Sequence, residues 1–434
     1  MTLRLRKYFL LHFRPKTVPE STLALTLSWG LGGLAAVLVL LQMGTGLLLK
    51  FAYEPTPQGA YASIQYLIAD VPFGRLVRNL HHWGANLLVG VVVLHLLRVC
   101  FTGAFHAPRR LNWVIGLGLL TTVLLSNFTG YLLPWDQLAY WAVTVSTGML
   151  EYIPGFGPVM QQWIRGGPEI GAMTLRLFFA VHTALVPLLF AVLMGFHFWR
   201  VRRAGGLVIP RKADEWRGDP ESGEPAPGPA RERVPAVPHL IVREAAMAAV
   251  GVAAVLLLAV AVDAPLEGPA NPGLSPNPTK APWYFAGFQE LLLHVHPTVA
   301  VFIVPVMATL ALAALPFWRY QADPGGIWFI SRSGRRSALA AALSGALAAI
   351  LWIAVDHGLA SYSAATGRFS SVGLPLLLLA AFAAAGWGSF GKRGTGLNNE
   401  GVQVAFVFAA AGFAVMTVTG AVFRGEGMAL GWPW

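Results

Sequence analysis

The chain is poor in charge, poorer still in acid, and almost without cysteine. Of its 434 residues only 12% are Asp, Glu, Lys or Arg, while 56% are hydrophobic. That charge is about half the share of an ordinary soluble domain. It cannot cover the roughly three soluble domains that the length alone implies. High hydrophobicity with little charge also excludes a disordered chain. The single cysteine, Cys100, excludes an internal disulfide, a cysteine-rich metal centre and a C-x-x-C-H haem attachment. Acidic residues number 20 against 31 basic ones, a formal charge of +11. Such an excess fits nucleic acid or a membrane surface, according to where the bases fall. The basic start, Met1 to Lys16, has no early apolar core or small-residue cleavage site, so no cleaved signal peptide is expected.

What the chain has in abundance is long uncharged runs. A membrane-crossing helix needs about 20 mostly apolar residues. Such runs cover Ser21–Leu49, Asn79–Leu97, Leu111–Trp135, Leu177–Trp199, Ala245–Val262, Leu291–Trp318, Ser337–Val355, Phe369–Gly391 and Gly401–Phe423. They lack the alternation of a membrane barrel. The predicted fold class is therefore all-α, a polytopic membrane protein of about nine transmembrane helices. The sixth run contains Pro297 and Pro305, so its start is expected at the interface. With the N-terminus inside, most of the 31 basic residues collect on the inner side, including Arg98, Arg109, Arg110 and the stretch Arg200–Arg243. The positive charge is thus a topology signal for a cell inner membrane, with the C-terminus outside, and no nucleic-acid partner is expected. Gly205 to Pro238, rich in Pro, Gly and charge, reads as a flexible cytoplasmic linker.

Ionisable side chains inside a membrane are costly and by default functional. The second run carries His81, His82 and His95, and the fourth carries His182 and His197. His81 and His95 are 14 positions apart, and His182 and His197 are 15. At about 100° per residue these spacings fall about 40° short of, and about 60° past, whole turns, so each pair shares a helix face. His82 points elsewhere. The two helices run in the same direction, which places His81 level with His182 and His95 level with His197. Two facing imidazoles at one depth are what a six-coordinate b-type haem requires, and two levels make two haems. Each histidine alone has the ordinary alternative of a hydrogen bond to a neighbouring helix. Zinc is disfavoured, because four residues on two levels do not close one tetrahedral site.

Glycines recur at the same 14-residue spacing, Gly32 with Gly46 and Gly116 with Gly130, where a flat macrocycle could approach the helix backbone. Ordinary small-residue packing is the competing explanation. Arg78, Arg98 and Arg202 lie near the histidines and are placed to pair with haem propionates, or to snorkel to the membrane surface.

Several motifs carry a family resemblance. They are Gly130-Tyr-Leu-Leu-Pro-Trp-Asp-Gln137, Tyr140-Trp-Ala142, Ala62-Ser-Ile-Gln-Tyr66, Phe73-Gly74, Thr102-Gly-Ala-Phe105 and Pro108-Arg-Arg-Leu-Asn-Trp113. Through them the first 205 residues resemble cytochrome b of the quinol–cytochrome c oxidoreductases (cytochrome bc complexes), most like the photosynthetic type with its split cytochrome b. Residues Pro265 to Gln289, ending Lys280-Ala-Pro-Trp-Tyr-Phe-Ala-Gly-Phe-Gln289, resemble the small partner subunit of that type, here fused on. The resemblance implies a four-helix di-haem domain over 1–205 and a linker over 206–243. It implies a quinol-site domain over 244–320, followed by additional helices over 321–434 of unknown role.

The resemblance further implies quinol oxidation near the outer face, between Trp135, Asp136 and Tyr140 and the Trp283–Glu290 segment. One electron would leave to a Rieske iron–sulfur protein or c-type cytochrome. The other would cross the outer and inner haems to a quinone near Arg202, with proton translocation. A homodimer within a larger complex is implied too. Two positions depart from the family. Its Pro-Glu-Trp-Tyr motif is here Ala281, Pro282, Trp283 and Tyr284, without the glutamate, and Glu290 is the candidate substitute, or a helix N-terminal acid offsetting the dipole. Gly30 stands where the photosynthetic type has a haem-linking cysteine, so no covalent haem is expected. The catalytic candidates are Glu290, Asp136, Trp283 and Tyr284. His294 and His296 are further proton acceptors, expected at the interface. The missing glutamate keeps open a second function, a non-bifurcating haem-b conduit between the quinone pool and a dedicated redox partner. A transporter or purely structural subunit explains neither the paired histidines nor the glycine spacing.

Overall fold

A computed structural model of the chain describes residues 16–24, 28–208, 232–320, 332–360 and 399–432. In chain order its helices are α1 (Leu31–Lys50), α2 (Ala60–Ala69), α3 (Gly74–Phe101), α4 (Arg110–Tyr131), α5 (Gln137–Gly148) and α6 (Gly157–Arg165). They continue with α7 (Ala172–Arg203), α8 (Ala236–Ala261), α9 (Trp283–His294), α10 (Thr298–Phe317), α11 (Arg332–Ala360) and α12 (Asn399–Val418, running on to Phe423). Eight of these, α1, α3, α4, α7, α8, α10, α11 and α12, are long and apolar enough to cross a membrane. The expected run Phe369–Gly391 lies outside the described residues. Among those residues, the paired strands are β1 (Thr17–Pro19) and β2 (Arg233–Pro235), antiparallel with Val18 opposite Val234.

Local chemistry moves several helix ends from where the hydrophobic runs place them. The first run begins at Ser21, but α1 begins at Leu31, because Trp29 and Gly30 take positive φ of 51° and 60°. A left-handed backbone cannot continue a right-handed helix. The third run reaches Trp135, but α4 stops at Tyr131, and the chain turns through Trp135, whose φ of 53° is strained for a bulky residue. The sixth run is not one helix. Val295 is extended at φ −135° and ψ 161°, and Pro297 restarts the chain as α10, leaving α9 as a separate helix.

Wide π turns interrupt α7 at Val181–Leu185 and open α10 at Thr298–Ile303. Each is followed directly by Val-Pro, Val186-Pro187 and Val304-Pro305. A proline lacks the N–H of the normal i→i−4 bond and its ring crowds the carbonyl one turn back. A wider turn relieves both.

The described chain divides into two compact units that do not follow chain order. The first holds the described residues up to Tyr131 together with Phe178–Leu266. Here α1 packs on α3, α4 on α7, and α8 on both α1 and α3. The linker reading groups the fifth run with the C-terminal half; the structure seats it with the first four. Polar contacts stitch the end of α8 to the start of α3. Asn79 Nδ2 donates to the Ala259 carbonyl and to Asp263, both at 2.9 Å, and Trp83 Nε1 donates to the Val262 carbonyl at 2.8 Å. Arg75 pairs with the Asp263 carboxylate.

The second unit holds Leu132–Leu177 and the described residues from Glu267 onward. Its centre is α9, α11 and α12. Leu291, Val295, Ala300, Trp352, Ile353 and Met416 form its apolar core. Glycines bring the backbones together: Gly345 lies against the Phe408 carbonyl and Gly420 against the Ala286 carbonyl, where any side chain would collide. The C-terminal helices are therefore integral to the unit that holds α9.

Candidate functional site

The four histidines of matched depth form two facing pairs within the first unit. His81 on α3 and His182 on α7 have ring centroids 6.1 Å apart, with planes at 76°. His95 and His197, on the same helices, have centroids 6.5 Å apart and planes at 72°. With a metal–nitrogen bond of about 2.0 Å on each side, rings at these separations would have room to hold one metal ion between them. His82 joins neither pair; its ring lies edge-on to Trp83 at 4.8 Å.

The unequal spacing of 14 and 15 residues is reconciled by the π turn. His182 lies inside Val181–Leu185, and a π turn accommodates one residue more than an α turn. The extra residue is absorbed there, so His182 and His197 stay on one face.

Each of the four glycines faces one of the four histidines. A Cβ on Gly130 would lie 2.5 Å from His182 Cε1, and one on Gly46 3.1 Å from His81 Cε1. At Gly32 the gap to His95 Cε1 would be 3.3 Å, and at Gly116 the gap to His197 Cε1 would be 3.7 Å, an ordinary contact. The glycines thus make room for the imidazoles themselves. The Thr-Gly dipeptides 45–46 and 129–130 supply a second element that composition alone does not reveal. Thr45 Oγ1 donates to the Leu41 carbonyl at 2.7 Å, and so accepts from His81 Nδ1 at 2.9 Å. His182 Nδ1 donates to the Ser126 carbonyl at 3.0 Å, with Thr129 Oγ1 3.3 Å away. With Nδ1 bound to the protein, the Nε2 lone pair of each outer histidine is left for a metal.

At the inner level a cavity is lined by His95, His197, Arg98, Arg109, Asn112 and Gly116, among others. Arg98 is where the sequence places it. Arg109, which also donates to the Ala204 and Gly206 carbonyls, lines the cavity as well, and Arg202 does not. The signal for Arg109 was its position one residue before α4. At the outer level Arg78 donates to the Ala264 and Pro265 carbonyls, at 2.8 and 2.6 Å, fastening the loop after α8.

These residues fit a haem. Each level offers two imidazoles and a glycine face. Among the described residues, no group of three or more His, Cys, Asp or Glu is arranged to hold a bare metal ion. A porphyrin brings four nitrogens and needs only two more. Gly130→Ala is expected to displace His182 and to alter the optical and redox signature of one haem. Gly44→Ala, with nothing within 4 Å of its added carbon, is expected to leave the haem signals unchanged. Redox titration of the two variants checks this, and identical titrations would remove the cradle role.

The second unit holds the other candidates. Asp136 is buried but committed: Oδ1 accepts from Ala139 N at 2.8 Å, capping α5, and Oδ2 accepts from Glu267 N at 3.1 Å. Gln137 N donates to the Gly268 carbonyl at 2.8 Å and Ala270 N to the Trp135 carbonyl at 3.1 Å. Trp135, Asp136 and the buried ring of Tyr140 are thereby laced to the Glu267–Asn271 segment. Trp283 is exposed at the start of α9, edge-on to Tyr284 at 5.6 Å.

Glu290 is fully buried and lies in the second half of α9, so it does not offset that helix's N-terminal dipole. It faces Arg424, just beyond α12, whose Nε donates to Oε2 at 2.9 Å. His294 Nε2 lies 3.0 Å from Oε1, and His294 Nδ1 lies 2.7 Å from Asp356 Oδ2. Burial pushes the Glu290 carboxyl up, but Arg424 and His294 outweigh it and hold the group below the usual carboxylate range. His294, expected at the interface, is buried. His296 is exposed, its ring edge-on to Tyr152.

Residues 16–205 match a family model described as Cytochrome b/b6/petB. The chain is 42% identical over 193 residues to cytochrome b6 of Synechococcus sp. (strain CC9311), covering 44% of this chain and 87% of that protein. It is 43% identical over 175 residues to cytochrome b6 of Chlamydomonas reinhardtii, covering 40% and 81%. A solved structure named "Hyperthermophilic respiratory Complex III" matches with a TM-score of 0.64 and 24% identity, over 96% of this chain and 95% of that one. That likeness is one of fold, and it extends past the family match into the C-terminal helices.

Proposed function

Because the chain belongs to the cytochrome b/b6 family, we propose that it is the electron-transfer subunit of a quinol-oxidising cytochrome bc-type complex. His81 and His182 hold an outer b haem, and His95 and His197 an inner one. The observation that carries this reading is the two facing imidazole pairs, at 6.1 and 6.5 Å, each ring backed by a glycine. Haem b supplies reversible one-electron chemistry. The chain's own groups set the conditions for it. Thr45, Ser126 and Thr129 fix the outer imidazole tautomers, and Arg98 and Arg109 put positive charge beside the inner cavity, suited to propionate carboxylates.

Quinol binds in the second unit, by Trp283, Tyr284 and Glu290 with the Trp135–Tyr140 loop, and Glu290 accepts its proton. Asp136 braces that loop. One electron leaves to an iron–sulfur or c-type cytochrome partner, and the other travels inward to a quinone near Arg202, with protons released outside and taken up inside. The complex sits in the cytoplasmic membrane as a homodimer with the N-terminus of this chain inside.

The conduit reading retains support from Ala281-Pro282, which lacks the family's acid, and from the commitment of Asp136 to its cap. Redox titration of the purified complex by absorbance and EPR is expected to resolve two bis-histidine b-type signals. A haem-free preparation overturns both readings. Adding oxidant in the presence of quinol then separates them, since bifurcation makes the b haems transiently more reduced, whereas a simple conduit becomes more oxidised.

A further inference from the structure

The ion cluster around Glu290 joins three helices and reaches well past what proton acceptance by one carboxylate requires. Arg424 binds both Glu290 oxygens and spends a third donor on the Met428 carbonyl at 2.9 Å. His294 sits between two carboxylates, with one ring nitrogen on each. A neutral imidazole donates from only one nitrogen, so a doubly protonated ring is the form that satisfies both carboxylates. Two cations then balance two anions. Side-chain exposure rises along the series, 0% at Glu290, 2% at His294 and 17% at Asp356, so the chain of groups runs from the interior toward water. Trp352 covers the His294 ring at 5.7 Å, and Lys280 reaches the Ala421 carbonyl nearby. Apolar residues of similar volume stabilise a fold at least as well as a buried ion network, so stability alone does not explain it.

Building on the quinol-site reading above, we propose that α11 and α12 complete a proton exit for that site, in which Glu290, His294 and Asp356 form a relay and Arg424 is a positioning residue. The Glu290 carboxylate accepts the quinol O–H proton. The doubly protonated His294 ring releases its Nδ1 proton to Asp356, which passes it to water. A half-turn of the ring presents its bare nitrogen to protonated Glu290, takes that proton, and restores the starting charges. One proton enters and one leaves per cycle. The C-terminal helices, which the family resemblance left without a role, thereby supply two charged partners of the site, Asp356 and Arg424.

The test uses the complete complex. Asp356→Asn is expected to slow quinol oxidation roughly tenfold at neutral pH, to change the pH profile of the rate, and to leave both haem spectra intact. Asp356→Glu is expected to restore most of the rate. A series relay also requires that Glu290→Gln with Asp356→Asn be no slower than the slower single variant. An Asp356→Asn complex with the wild-type rate and pH profile overturns the relay. So does a slowed complex that keeps both haems and the wild-type pH profile, which marks a merely structural role. Should Asp356→Asn fail to assemble, His294→Asn is judged by the same criteria. A wild-type complex that holds both haems but oxidises no quinol overturns the functional reading, and the relay with it, before any variant is made.

Discussion

With two haems held as proposed, replacing His81 with leucine is expected to remove one of the two b-haem signals and leave the other, while His82→Leu is expected to retain both. His81 faces His182 across 6.1 Å, and its Nδ1 is tied to Thr45, so it has one free nitrogen aimed at one partner. No other imidazole on α3 can take over. His82 is one residue away, about 100° around the helix, with its ring against Trp83. The inner pair lies about 21 Å further along the axis and does not depend on His81 for its packing. Haem content is therefore expected to halve, and the complex to lose quinol oxidation by at least about a hundredfold, because the transmembrane electron path is cut. Haem quantification with EPR measures this. Loss of a haem in the His82 variant and not in the His81 variant would reverse the assignment.

The second large effect concerns stability. Arg424→Leu leaves the fully buried Glu290 without its strongest partner, and removing one member of a buried pair costs about 3–5 kcal/mol. Arg424→Lys keeps the charge but not the two-pronged geometry, and is expected to fall between. The double variant Arg424→Leu with Glu290→Leu is expected to recover most of the loss, since apolar replacement of both partners removes the unpaired charge. The pH dependence follows from the direction of the Glu290 shift. Its carboxyl is held below the value of about 4.3 for an unfolded chain, so its contribution is fully present above that pH. It is lost as pH falls through the lower folded value. The gap between wild type and Arg424→Leu should shrink on acidification below about pH 4. Thermal unfolding in detergent across that window checks the sign. A gap that widens in acid contradicts the ion-pair account.

The histidine pairs were legible because a helix repeats its face at whole-turn spacings, and the glycines share that period. Two things hid from the same reasoning. The residue absorbed at Val181–Leu185 depends on Pro187, whose effect is exerted one turn back, so the 15-residue spacing does not by itself reveal the π turn. The partners of Glu290 were out of reach of any local pattern. Arg424 lies 134 residues further on, and Asp356 lies 62 residues after His294. Periodicity places a residue on a face; it does not say which distant helix meets that face. Asp136 shows the converse case. An acid before Gln-Leu-Ala is a helix cap on local grounds, and the family motif around it drew attention to chemistry instead. The break at Val295 and Pro297 was half visible, since the prolines marked an irregular start without showing that α9 is a helix of its own.

The β1–β2 ribbon and the bonds from α3 to the end of α8 have a consequence for how this chain can be divided. Thr17–Pro19 grips Arg233–Pro235, and Arg75, Arg78, Asn79 and Trp83 grip residues 259–265. Both clasps join segments on opposite sides of 209–231. Severing the backbone there would leave two polypeptides still docked to each other, with confinement to one bilayer keeping their mutual concentration high. A pair of separately made chains divided within 209–231 is therefore expected to assemble the same first unit, which co-expression and co-purification would check.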